Sequence, residues 1–212
     1  MLSEKIQQIF EEHKGPYGSL RITKVLEKKG IEVNRKRVGK LMCQMKLYAK
    51  GSRYRYKRYN KKSPSIERPN LLNQVFQTDR RNKIWVGDIT YIPIQKGTLY
   101  LAVFVDMYTR KVIGWSMSTR MKDSLVIDAF LQGYKKEHPK IGLIIHTAPY
   151  DNALMESFYK TIKRELIQGA KFKTPEHARK EIFKYIELHY NTKRMHSSLD
   201  YLSPIEFEKA YS

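Results

Sequence analysis

Two short stretches of this 212-residue chain put charged groups where chemistry could use them. The first is Ile84-Trp-Val-Gly-Asp88-Ile-Thr-Tyr-Ile-Pro-Ile94, a β-branched and aromatic run with one carboxylate in its middle. A carboxylate there is costly to bury unless something satisfies it, and a divalent cation, which takes oxygen ligands, does so well. A lone aspartate in a strand is more often a hydrogen-bonded structural residue, so Asp88 needs a second clue. That clue follows Pro149, where Leu154, Phe158 and Ile162 form one stripe of a helix while Glu156, Lys160 and Lys163 share another at i, i+4 and i+7. A carboxylate flanked by two lysines suits a site that holds a metal and grips a phosphodiester beside it. Without Asp88, a solvated Glu-Lys pair on a helix surface would be the better reading.

These residues need a sheet and a helix to bring them together. After the Asp88 strand, Gln95 to Thr98 supplies a turn, Leu99 to Met107 a second strand, Tyr108-Thr109-Arg110 another turn, and Lys111 to Met117 a third strand in an antiparallel meander. A helix from about Lys122 to Lys136 leads to Ile141-Gly-Leu-Ile-Ile145, an apolar run typical of a strand covered on both faces. A strand reached through a helical crossover can run parallel to an earlier one, so the sheet is expected to be mixed.

The front of the chain is organised differently. Residues 1–83 carry 22 Lys+Arg against 7 Asp+Glu, a net of +15, whereas residues 84–212 contribute only +5 of the total +20. Such a field attracts nucleic acid by counterion release. Leu2 to Glu12 fits a short amphipathic helix carrying Ile6, Ile9 and Phe10, ended by Gly15-Pro16. A second helix is expected from a capping Ser19, burying Leu20, Ile22, Val25 and Leu26 up to Gly30. A third starts at Asn34 with Val38, Leu41, Met42 and Met45 on one stripe and Arg35, Lys36, Arg37 and Lys40 at its start and exposed side. A helix-turn-helix inserts the start of its second helix into the major groove, where such cations have a use; an ordinary helical hairpin with a solvated basic face fits the same pattern. The next segment, from Lys50 to Lys62, interleaves seven cations, Arg53, Arg55, Lys57 and Arg58 among them, with three tyrosines. It reads as a linker that tracks phosphates.

Composition excludes several classes. With 41% apolar residues the chain is too apolar for a wholly disordered tail, and it has no run of about 18 apolar residues to span a membrane. The basic residues do not oppose a Trp/Phe/Leu-rich face on one long helix, which argues against a membrane surface. The first residues lack a secretory pattern, and one cysteine, Cys43, forms no internal disulfide, so a reducing cytoplasmic setting is expected. Six scattered histidines give no zinc spacing.

Four motifs in order, Trp85-Val-Gly-Asp88-Ile-Thr-Tyr, Val105-Asp-Met-Tyr-Thr-Arg-Lys-Val-Ile-Gly-Trp115, Pro149-Tyr-Asp-Asn-Ala-Leu-Met-Glu156-Ser-Phe-Tyr-Lys and Tyr190-Asn-Thr-Lys-Arg194-Met-His196-Ser-Ser-Leu-Asp-Tyr-Leu-Ser-Pro204, resemble the bacterial insertion-sequence transposases with a retroviral-integrase-like core. Gly15 to Leu47 is similar to the helix-turn-helix that precedes that core. The resemblance implies a mixed α/β architecture: a helical DNA-binding region at 1–49, a basic linker at 50–83, and a ribonuclease-H-like core at 84–212 ending in helices. It also implies a DDE strand transferase using two Mg2+ ions, acting on double-stranded DNA in the bacterial nucleoid, as a homo-oligomer or with intact subunits. Asp88 matches the first metal-holding catalytic carboxylate and Glu156 the third. Lys160, Lys163, Arg194 and His196 join the DNA-binding set of Arg35, Lys36, Arg37, Lys40 and the linker cations.

The second carboxylate has no match. Members of the family read approximately His-Thr/Ser-Asp-Gln-Gly after the fourth strand, then a helix, a fifth strand and Asn-Pro-Tyr-Asp-Asn. This chain passes from His146-Thr147 straight to Ala148-Pro149, so the bridging Asp, a core helix and the fifth strand are expected to be missing. Asp106 and Asp151 match aspartates the family carries besides its triad and fill no gap. The expectation is a transposase by descent, defective in catalysis. The competing reading is a non-catalytic protein that occupies transposon ends or inhibits intact transposase. A general RNA-binding protein is weaker, because no Lys/Arg-Gly-Phe-Gly-Phe motif is present.

Overall fold

The computed structural model describes residues 1–50, 78–95, 97–147 and 152–211. The chain divides into two compact units, Met1–Arg68 and Pro69–Ser212.

In the first unit α1 (Leu2–Glu12), α2 (Ser19–Lys28) and α3 (Arg35–Gln44) each bury one stripe: Ile6 and Ile9, then Ile22, Val25 and Leu26, then Val38 and Met42. Tyr17, fully buried, stacks on His13 with ring centroids 3.9 Å apart. Asn34 caps α3, its side-chain oxygen accepting from the Lys36 amide at 2.8 Å. Two expectations for α2 are corrected. Gly18, not Ser19, is the capping residue, because Ser19 already stands at the first helical position, and no side-chain cap forms. Leu20 is exposed, since it lies two residues from Ile22 and so about 200° around the helix from the buried stripe. Gly30 ends the turn after α2 at φ +72°, a left-handed conformation that costs glycine little.

The second unit is built on a four-stranded mixed sheet among the described residues. β1 (Ile84–Ile94), β2 (Gly97–Asp106) and β3 (Val112–Ser118) form the antiparallel meander, and β4 (Ile144–His146) runs parallel to β1, giving the order β3-β2-β1-β4. Between β3 and β4 the chain crosses over through α4 (Asp123–Glu137). Alternation sends Ile84, Val86, Ile92, Leu101 and Val103 into the larger core on one face, and Trp85, Ala102, Phe104 and Ile113 into a smaller core on the other. The smaller core is closed by Leu125 and Ala129 of α4. That helix lies so near β3 that a Cβ on Gly114 would fall 2.1 Å from the Ala129 carbonyl, so only glycine fits there.

The larger core is covered by α5 (Ala153–Ile162), whose helix continues as a π-helical turn at Lys163–Ile167, and by α6 (Pro175–Tyr185), which continues likewise at Ile186–Tyr190. A short 3-10 turn, Ser197–Leu199, leads to α7 (Pro204–Tyr211). This is the ribonuclease-H-like arrangement, without a fifth strand or a helix between β4 and α5 among the described residues. One expectation fails within it. Only Ile144–His146 form the strand; Ile141 is fully exposed in a turn and Ile145 is 46% exposed. A strand is covered on both faces only where neighbours reach both, and among the described residues Ile145 is left 46% exposed.

Candidate active site and nucleic-acid interface

Strand parity explains where Asp88 stands. It shares the face of Ile84, Val86 and Ile92, but lies toward the open side of that face, exposed, with its Oδ1 accepting from the Ile89 amide at 2.7 Å. α5 packs on β1 at this point: Met155, Phe158, Tyr159 and Ile162 are buried in the larger core, and the Tyr159 hydroxyl donates to the Asp88 backbone carbonyl. With those residues turned inward, Glu156 of the first turn of α5 is left exposed on the helix and close enough for its charge to act on Asp88. Partial burial raises the Asp88 carboxyl above its ordinary range, and the Glu156 carboxylate raises it further; the Ile89 amide and the Lys163 ammonium oppose the shift. Two carboxylates from different elements, near enough that Glu156 works against the ionisation of Asp88, with one ammonium beside them, form a centre that a cation would relieve.

The donor set decides what it could hold. Asp88 and Glu156 fit a single hard divalent cation, which takes carboxylate oxygens. Among the described residues no group of three or more His, Cys, Asp or Glu side chains is placed to hold a metal ion. Asp106 does not supply the third acid. It is 1% exposed, pairs in register with Trp85, three residues from Asp88, and so belongs to the opposite face of the sheet. Its oxygens accept from the amides of Asn82, Tyr108 and Thr109 and from the Thr109 hydroxyl, at 2.8–3.1 Å. Asp151 lies outside the described residues.

Of the expected phosphate-gripping residues, Lys163 sits nearest the pair, its Nζ 4.9 Å from the ring centroid of Tyr91, an exposed residue of β1. Lys160 is exposed one turn beyond Glu156 on the same helix. Arg194 requires correction. Arg194 is 4% exposed, and its Nε and Nη2 donate to Glu165 of the π-helical turn at 3.0–3.1 Å. The Tyr185 hydroxyl donates to the same carboxylate at 2.8 Å, and His196 is half-buried, its ring against Tyr190 and near the Arg194 guanidinium. Burial alone would lower the Arg194 pKa; the Glu165 carboxylate overrides it and the net shift is upward, so the guanidinium stays charged. This buried ion pair fastens the segment after α6 to the end of α5 instead of facing a nucleic acid. Glu165 and Tyr159 were not singled out from sequence, and only the helical spacing from Glu156 could have pointed to Tyr159.

In the first unit, Arg35, Lys36, Arg37 and Lys40 are all exposed at the start and outer side of α3, while Val38 and Met42 anchor the inner side against its neighbours. The helix start is capped by Asn34 and strongly cationic. Arg53, Arg55, Lys57 and Arg58 lie outside the described residues.

Comparison with known proteins follows the same division. The family model of an HTH-like domain matches residues 1–58, and two models of the integrase core domain match residues 78–153 and 140–204. The chain is 57% identical to the transposase for insertion sequence element IS904 of Lactococcus lactis subsp. lactis (strain IL1403), covering 99% of this chain and 94% of the relative. It is 36% identical to transposase InsF for insertion sequence IS3A of Escherichia coli (strain K12), covering 94% and 79%. Among solved structures, the HTLV-2 integrase catalytic core domain in complex with magnesium (dimeric form) aligns at 19% identity with a TM-score of 0.42, over 60% of this chain and 96% of that one. The Lactococcus match runs over 237 positions against the 212 residues present here, so at least 25 of those positions have no counterpart in this chain. With an HTH-like region, an integrase core and relatives of this identity along nearly its whole length, the chain belongs to the insertion-sequence transposases.

Proposed function

We propose that this transposase-family chain binds the ends of its element as duplex DNA but does not cut or join them. The reading is carried by one observation: Asp88 and Glu156 lie near enough for their charges and that of Lys163 to interact, with no third acid grouped with them among the described residues, in a chain that lacks at least 25 positions of its relative. In a two-metal phosphodiester transfer one ion activates the attacking oxygen and the other stabilises the leaving oxygen. The sequence step from His146-Thr147 to Ala148-Pro149 removes the aspartate that would bridge them. Asp88 and Glu156 would then hold one Mg2+ weakly, and Lys160 and Lys163 would hold a phosphodiester near a centre that lacks the donors for a second ion.

DNA binding falls mainly to residues 1–49 and the basic linker 50–83, with 84–212 as the core shortened at 147–149. Arg35, Lys36, Arg37 and Lys40 supply the groove contacts, and Arg53, Arg55, Lys57 and Arg58 the phosphate contacts. A cationic helix in the same chain as an incomplete acid set favours the second reading as well: a protein of the bacterial cytoplasm that occupies transposon ends or associates with intact subunits and blocks them. The test is a nicking assay on the element's end DNA with Mg2+ or Mn2+. No product is expected from the chain as it stands, and product from the same chain with its relative's additional segment inserted after Thr147. Nicking by the unmodified chain that Asp88→Asn abolishes would overturn the proposal.

A further inference from the structure

Three contacts lay α5 and the segment after it alongside β1, running in the same direction. The Tyr159 hydroxyl donates to the Asp88 carbonyl, the Lys163 Nζ lies 4.9 Å from the Tyr91 ring centroid, and the Gln95 amide donates to the Phe172 carbonyl at 3.0 Å. From Asp88 to Gln95 this course covers about 23 Å. β4 pairs with β1 only from Ile84 to Val86, so beyond the acid pair the outer edge of β1 meets no other strand among the described residues.

The charges along this course have one sign. Lys160, Lys171 and Lys173 are exposed and Lys163 is half-buried. Phe172, between two of these lysines, is 3% exposed in the larger core and anchors the backbone that carries them. Neither 89–95 nor 157–175 contains an acid other than Glu165, which is buried against Arg194. Tyr91 stands among these cations 62% exposed, with the Lys163 ammonium against its ring. An open aromatic ring beside lysines suits a nucleobase next to its phosphate. The last base pair of a duplex has one face unstacked, which a ring can cover. We propose that this edge of β1 is a track for the end of a DNA duplex: Lys160, Lys163, Lys171 and Lys173 hold phosphates of one strand, and Tyr91 stacks on the terminal base beside Asp88 and Glu156. Tyr91, Lys171 and Lys173 thereby join the DNA-contacting residues of the core. This rests on reading the chain as a binder of its element's ends, and it holds whether or not the acid pair completes a reaction.

The probe is a blunt duplex of the element's end sequence with 2-aminopurine in place of its last base, titrated with the full chain. Its fluorescence should fall about twofold on binding, while 2-aminopurine in the middle of the same duplex should not respond. Tyr91→Ala should abolish the fall and weaken binding about fivefold; Tyr91→Phe, which keeps the ring, should restore both. Lys171→Ala together with Lys173→Ala should make the slope of log K against log salt less steep by about 2. All three residues are exposed, so the variants keep their fold, which circular dichroism checks. A terminal signal that survives Tyr91→Ala overturns the proposal, and so does an unchanged salt slope in the double lysine variant. Duplex binding, measured by anisotropy, separates the two readings: tight binding with no terminal signal sinks only the track, whereas no binding at all sinks the end-binding reading and the track with it.

Discussion

Asp88 and Asp106 lie on neighbouring strands of one sheet and have opposite uses. Asp106 is enclosed, and its two oxygens take four donors from the turn that follows β2 and from Asn82. Asp88 is exposed and takes one hydrogen bond from the next residue; otherwise it faces a like charge on α5. A carboxylate whose acceptor capacity is filled by the protein is structural, and one left facing another carboxylate is available to a cation. The same contrast separates Arg194, paired with Glu165 in the interior, from Lys163 at the rim.

The contrast is most easily broken on the structural side. Arg194→Ala leaves Glu165 buried without its counter-ion, and about 3–5 kcal/mol of stability in urea unfolding should be lost. A loss below ~1 kcal/mol would mean that the pair is solvated. Asp106→Ala strands three backbone amides and a hydroxyl, and should cost about 2–4 kcal/mol without altering metal binding by chains that remain folded.

On DNA, Arg35→Ala or Arg37→Ala should weaken binding to the true end sequence by about 1–3 kcal/mol and to random DNA by less. Neutralising Arg53, Arg55, Lys57 and Arg58 together should instead flatten the salt dependence from a slope near −5, the value for roughly six phosphates, for all sequences alike. A fragment starting at Ile84 that binds as tightly as the full chain would contradict both.

The smallest effect has the opposite sign. The raised pKa of Asp88 means that the folded chain holds this proton more tightly than the unfolded one, so ionisation works against the fold. That penalty is fully present above the raised value and fades as pH falls from there to the ordinary 3.8. Asp88→Asn should therefore raise Tm at neutral pH by about 1–3 °C and remove this part of the pH dependence. Destabilisation by the same substitution would place Asp88 with Asp106.

Much of this was legible in the sequence where one local pattern decides the outcome. Alternation in Ile84–Ile94 fixed the face of Asp88, and the i, i+4 spacing put Glu156 opposite the apolar stripe of α5, so their convergence needed only the right helix on the right face. Arg194 was not legible. Its position depends on Glu165, 29 residues earlier, and on a π-helical turn that shifts the register of α5 beyond Ile162, a change that a 3.6-residue period does not reveal. The exposure of Ile145 was not legible for a related reason: an apolar run shows that a segment can be buried, not which neighbours reach it.

Titration of Mn2+ into the full chain near neutral pH tests the central claim most directly. The account predicts one ion per chain, bound with a Kd on the order of millimolar as expected of a small set of oxygen ligands, and lost in both Asp88→Asn and Glu156→Gln. Two ions per chain, or one that survives Asp88→Asn, would contradict it.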